Sequence, residues 1–161
     1  MINSIITDLR SEIEKQTGCT KPIPERRFHK HDQYLTYGMK TADYHQLMKS
    51  FRPRFLEMSL EQRLQLAQAL TGEHVGELGH AGIYVIETCV KELAPEHFPL
   101  LSGIVDDFRS WSQVDGFCIS VMQPLLKKYP QQMLSLLDEW SQSPNRFKRR
   151  TSVVTFVRKI G

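Results

Sequence analysis

Cysteine is scarce in this chain, and long apolar runs are missing. Three cysteines stand among 161 residues, at Cys19, Cys89 and Cys118, and no two of them form a Cys-x-x-Cys pair. Their odd number and wide spacing exclude a disulfide framework and a cysteine zinc site, and they point to a reducing, cytoplasmic setting. No apolar stretch approaches the roughly 20 residues that a membrane-spanning helix needs, so no membrane role is expected. The first ten residues read as an amphipathic helix followed closely by acids, not as a secretory leader. The phosphate-cradling glycine loops, the His-Glu-x-x-His zinc helix and the Gly-x-Ser-x-Gly elbow are all absent. Six histidines offer one close pair, His29-x-His31, in a basic stretch where a surface position is expected and a metal site is not. Neither a metal nor an organic cofactor is called for.

Strand patterns are scarce too. What the chain has is a succession of helix signals. Ile5, Ile6, Leu9 and Ile13 make one stripe of a helix over residues 2–16. A Pro- and Arg-rich connector runs from Thr17 to about Gly38. Thr41 is placed to cap a helix that reaches about Phe51. Ser59-Leu60-Glu61-Gln62 is a capping box opening a helix to about Leu70. Further helices are expected from Val75 to Leu93, from Pro95 to Ser110, and from Ser110 or Ser112 to a stop before Pro130. Pro130 occupies the first position of the next, which reaches Ser141. Ser143-Pro144 reads as a cap and first helical residue of the last one. The starts fall about 15–20 residues apart with short links, which force antiparallel neighbours. The expectation is an all-α protein of at least eight helices without a sheet, a single domain over residues 1–161, packed as a HEAT-like α-α superhelix or, failing that, as an irregular helical bundle.

Charge is unevenly spread. Residues 55–110 hold three Lys/Arg against nine Asp/Glu, residues 21–54 hold eight against three, and residues 145–161 hold six Lys/Arg and no acid. Two basic stretches flanking an acidic middle are either solvated faces or a seat for a polyanion.

The informative residues are charges in apolar company. Stepping about 100° per residue puts Asp115 beside Met122 and Leu126 on the stripe made by Val114, Cys118, Val121 and Leu125, with Trp111 one turn earlier on the same side. On the last helix Arg150 falls between Val154 and Val157, in a stripe formed with Phe147, Val153 and Ile160. A charge inside an apolar stripe needs a partner or an open cleft. Three readings stay open: a structural Asp115–Arg150 ion pair, a local Ser112-x-x-Asp115 capping box, and a groove-facing carboxylate with an aromatic wall. Trp140, Tyr84 and Phe108 read as core.

Trp111-Ser112-Gln113-Val114-Asp115 resembles the Trp-x-x-x-Asp motif of the DNA alkylation repair family, the AlkD-like glycosylases. Trp140-Ser141-Gln142-Ser143, followed by Phe147-Lys148-Arg149-Arg150-Thr151, is similar to that family's paired tryptophan segments, with Phe147 where the family has a second tryptophan. Tyr37-Gly38-Met39-Lys40-Thr41 with Asp43 is similar to its turn and helix start. The resemblance runs from about residue 34 to the end. It implies a superhelix of HEAT-like pairs whose concave face cradles duplex DNA, shorter at its C-terminus than the family. It also implies a monomeric, monofunctional DNA glycosylase that removes cationic N3- and N7-alkylated purines through Asp115, Trp111 and Arg150. Arg149, Lys148, Arg146, Phe147, Lys40 and Tyr37 would then bind DNA. No lysine stands out for a Schiff base, so no lyase step is expected. The alternative is a non-catalytic HEAT-like module that binds DNA or protein.

Overall fold

The computed structural model describes residues 1–29 and 33–157. His31 of the histidine pair and Ile160 of the last stripe lie outside them. The chain is all-α. Its order is α1 (Ile2–Thr17), a two-stranded ladder β1 (Ile23–Pro24) and β2 (Leu35–Thr36), α2 (Thr41–Leu56), α3 (Leu60–Thr71) and α4 (Gly76–Glu87). Then follow α5 (Phe98–Asp106), α6 (Trp111–Phe117), α7 (Gln123–Lys128), α8 (Pro130–Ser141) and α9 (Arg146–Val154).

The helices pack in two layers. α1 lies on α3 and α3 on α5; α2 lies on α4, α4 on α6 and α6 on α9; α8 closes against α7 and α9. As far as α6, each helix therefore rests on the one two places along, as stacked helical pairs do. The pair α3–α4 is antiparallel: Arg63, near the start of α3, reaches Thr88 just past the end of α4. Burial follows the stripe expected on α1, and Trp140 and Phe108 are core while Tyr84 is half-buried.

Several boundaries differ from the sequence reading, each for a local reason. The capping box at Ser59 is formed, with Gln62 N–H donating to Ser59 Oγ at 3.1 Å and Ser59 N–H to Gln62 Oε1 at 2.9 Å. α2, by contrast, starts after Lys40 without a side-chain cap and runs through Pro53 to Leu56. Phe51 and Phe55 are buried in the core, and that burial outweighs the one hydrogen bond Pro53 cannot donate. α4 stops at Glu87, and 3-10 turns at Val90–Glu92 and Pro95–His97 take up the rest of its expected length and the start of α5. α9 opens at Asn145, whose side chain accepts from Phe147 N–H at 2.8 Å, and not at Ser143-Pro144. The expected absence of sheet is corrected by the short antiparallel ladder that closes the connector as a hairpin.

α6 and α7 form one rod through a π turn at Cys118–Met122, where Gln123 N–H reaches Cys118 O. Pro124 follows and has no N–H to continue the α ladder. The wide turn faces the end of α9, where Thr155 Oγ1 lies 3.5 Å from Cys118 Sγ.

Gly82 sets the closeness of α3 and α4. A Cβ there would lie 2.9 Å from Ala67 O and 2.9 Å from Thr71 Cγ2. Gly82→Ala is expected to lower stability by a net of about 1–2 kcal/mol, the steric cost exceeding the gain in helix propensity. A melting temperature equal to that of the parent protein in a thermal scan would contradict this account.

Candidate functional site

The site begins at the N-terminus of α6. Ser110 Oγ accepts from Gln113 N–H at 3.2 Å, and Gln113 Oε1 accepts from Arg109 N–H at 2.8 Å. The cap is thus Ser110 with Gln113, which overturns the Ser112-x-x-Asp115 box and leaves the Asp115 carboxylate free to act across helices. Trp111 is the first residue of α6 and Asp115 follows one turn later, so both occupy the same side.

Arg150 comes to them from α9. Its Nε donates to Asp115 Oδ1 at 3.0 Å and its Nη2 to Oδ2 at 3.1 Å, a two-pronged grip that fixes the carboxylate plane. The pair is not buried: the side chains are 43% (Arg150) and 34% (Asp115) exposed. The expectation of charges enclosed in apolar stripes is corrected here. α9 buries Thr151, Ser152 and Thr155 and leaves Val153, Phe156 and Val157 at the surface. Each buried hydroxyl donates to a carbonyl of its own helix, Thr151 to Phe147 O, Ser152 to Arg149 O and Thr155 to Thr151 O. Small hydroxyls satisfied in this way pack inward as easily as alanine, so the helix is rotated from the orientation its valines suggest.

The other expected DNA-binding residues divide. Arg146 lies over the half-buried Phe147 ring at 4.8 Å. Arg149 is exposed and donates to Ser143 O. Both belong to the outward face that carries Arg150. Lys148 turns the other way: its side chain is 13% exposed and its ammonium pairs with Asp106 at 2.9 Å. Lys40 is exposed at the start of α2. Tyr37 is corrected to an interior residue, 4% exposed, with its hydroxyl donating to Glu14.

The connector supplies residues that sequence reasoning missed. Glu77, buried on α4, accepts from Thr36 Oγ1 (2.8 Å), Tyr37 N–H (3.0 Å) and Met39 N–H (3.1 Å), which clamps the Tyr37–Gly38–Met39 turn to the helix. Gly38 takes φ 73° there, a conformation that side chains disfavour. Tyr34 packs its hydroxyl against Gly76, where a Cβ would clash, and faces the side chains of Ser110 and Ser112. Burial pushes that phenol up to about 12. His29, expected at the surface, is buried between Tyr34 and Trp111. A lone acid in the apolar run of α4 was the signal for Glu77; His29 gave none.

Beside Trp111 the connector, α2 and α4 enclose a cleft of about 380 Å³ lined by Tyr34, Tyr44, His80 and Ser112 among others. Burial lowers His80 below the usual imidazole range and raises the Tyr44 hydroxyl, so both are neutral near neutral pH. Burial also holds the Cys89 and Cys118 thiols up to about 11, which removes them as nucleophiles. Among the described residues no cluster of His, Cys, Asp or Glu has the makings of a metal site, and no helix is long and apolar enough to cross a membrane.

The arrangement therefore offers an open carboxylate gripped by a guanidinium, with an aromatic ring one turn away. A family model described as DNA alkylation repair enzyme matches residues 9–161. The chain belongs to the DNA alkylation repair enzyme family. No curated protein matches it. Within the family's matched span lie Trp111, Asp115 and Arg150, together with the clamp at Glu77 and the hairpin that brings His29 to Trp111.

A half-exposed ion pair contributes little to folding. Asp115→Asn is expected to lower stability by less than about 1 kcal/mol. A loss of several kcal/mol on chemical denaturation would instead assign the pair a structural role.

Proposed function

We propose that this protein is a monofunctional, monomeric DNA glycosylase that hydrolyses the N-glycosidic bond of cationic N3- and N7-alkylated purines in duplex DNA. The observation that carries the reading is the bidentate Arg150–Asp115 pair, half open to solvent on the same side of α6 as the exposed Trp111. An alkylated purine of this kind already bears a positive charge. When its C1′–N bond breaks, the electron pair goes to the base, which leaves neutral, and positive charge grows on the deoxyribose. A fixed carboxylate at Asp115 stabilises that charge and orients the water whose oxygen bonds to C1′. The proton lost by the water passes to the carboxylate or to solvent. The π-face of Trp111 favours a cationic nucleotide. Arg150 holds the Asp115 carboxylate in place and reaches a neighbouring phosphate, while Arg146, Arg149 and Lys40 add contacts that position the duplex without reading its sequence. No metal or organic cofactor enters this chemistry.

The second reading is a non-catalytic DNA- or protein-binding module. It draws on the exposed apolar side chains Val153, Phe156 and Val157 beside the arginines of α9.

Incubation with methylated DNA and mass spectrometry of the released bases separates the two. Asp115→Asn is expected to cut base release by ~10²–10³-fold, the worth of a few kcal/mol of transition-state stabilisation. Duplex affinity is expected to survive the substitution and to fall with salt, with a slope of about −0.9 in log affinity against log salt for each phosphate neutralised. Normal excision by a folded Asp115→Asn protein would sink the catalytic role. A parent protein that binds duplex DNA and releases no base would establish the binding-module reading.

A further inference from the structure

His29 is 6% exposed, and its imidazole is held at three points. Nδ1 lies 2.5 Å from Glu25 Oε2. One side of the ring stacks on Tyr34, centroids 4.2 Å apart at 29°. The ring also lies nearly parallel to the indole of Trp111, 5.9 Å away at 12°. Nε2 is buried and has no hydrogen-bond partner among the described residues. Glu25 is itself built into the turn, accepting from Arg27 N–H at 2.7 Å and Phe28 N–H at 3.1 Å. A buried imidazole fixed this firmly, with one nitrogen left open, is not explained by packing alone.

We propose that the Glu25–His29 dyad is a positioning device for Trp111: the imidazole backs the indole, fixes its plane, and by its own charge sets how strongly the ring accepts a cationic nucleotide. The inference rests on the reading of Trp111 as the wall against a cationic lesion. Trp111 is 42% exposed, so the stack leaves part of the ring open to a ligand. Attraction between an indole and a cation is electrostatic and comes from the negative face of the ring. A neutral imidazole behind the indole leaves that face available. An imidazolium in the same place already draws on the π density and repels a second cation across a poorly screened gap. The two states differ by one proton at Nε2, where none of the described groups competes for it.

The groups facing His29 define its surroundings. Glu25 comes from its own segment, Tyr34 from the returning arm of the connector, His80 from α4 and Trp111 from α6. Tyr34 is neutral, burial favours neutral His80, and the hydrogen bond to His29 leads the effects that hold the Glu25 carboxyl below its usual range. Among the described residues Glu25 is therefore the charged neighbour of the imidazole.

Tryptophan emission tests this without reference to activity, because a protonated imidazole in contact with an indole quenches it. Trp140, the other tryptophan, is buried under Lys148 and away from any histidine ring contact among the described residues. Emission of the full chain is followed from about pH 8 to 5, the range in which histidine titrates, for the parent protein, His29→Phe and Glu25→Gln. The expected result is an acid-side quench in the parent, no such transition in His29→Phe, and a transition at lower pH in Glu25→Gln. A parent emission that is flat, or a transition unchanged in His29→Phe, overturns the proposal. Base release from methylated DNA is then measured over the same range. The parent is expected to show KM rising about five-fold across the same transition, the scale of an exposed cation–π contact, with kcat little changed. His29→Phe, which keeps a ring behind Trp111, is expected to retain parent-like release at neutral pH and to lose the acid-side rise in KM. His29→Ala is expected to lose release at every pH. A KM unaffected by the transition overturns the tuning role. A protein that shows the quench yet releases no base at any pH overturns the glycosylase reading and the role in substrate affinity with it, while the stack remains as measured.

Discussion

A single buried carboxylate ties the functional face together. Among the described residues no cation pairs with Glu77; its charge is spread over two backbone N–H groups and one hydroxyl from residues 36–39. Those donors are otherwise a loop with no partners of its own, and the carboxylate would otherwise be an uncompensated charge in the interior. Each solves the other's problem. With the turn fixed to α4, the hairpin must fold back over the N-terminus of α6. Tyr34 then lands against Gly76 and His29 against Trp111. The orientation of the aromatic wall is thus decided some 35 residues upstream of Trp111, by hydrogen bonds that involve neither the wall nor the Asp115–Arg150 pair.

Much of the helical framework was legible because its signals are local. The Ser59–Gln62 box and Pro130 at a first helical position act within one turn, and the structure places helix starts where they say. Helix ends were less legible. Beyond Glu87 the chain keeps helical composition but tightens into 3-10 turns, a distinction that side-chain periodicity does not carry. The ladder between Ile23–Pro24 and Leu35–Thr36 is too short to show alternation, and it depends on the distant Glu77 clamp.

The pairing of Asp115 with Arg150 was legible, and its physics was not. Trp111, Asp115 and Arg150 do come together, yet the reason first given, charges trapped in apolar stripes, applies elsewhere. Among the described residues the interior acid and base are Glu77 and Arg63, the latter donating to Met58 O and Thr88 O. Both lie on helices whose apolar stripes are real. On α9 the stripe was misjudged because Thr151, Ser152 and Thr155 hide their polarity within the helix, whereas Val153 and Val157 lie outward. His29 was invisible because nothing adjacent in sequence foretells a stack on a residue 82 positions away.

The self-satisfied hydroxyls of α9 have a consequence for local opening. A helix seated on threonine and serine, with Phe147 and Val154 only half covered, loses little apolar burial when it lifts, while α3 and α4 are fastened by fully buried leucines, isoleucines and valines. Opening free energies track such burial. The two halves of the ion pair therefore reside on parts of the molecule with unequal local stability, Asp115 on the rod packed against α4 and Arg150 on the more weakly held neighbour. The guanidinium is the half free to come and go, so the carboxylate can keep its place on α6 while the arginine swings away with its helix.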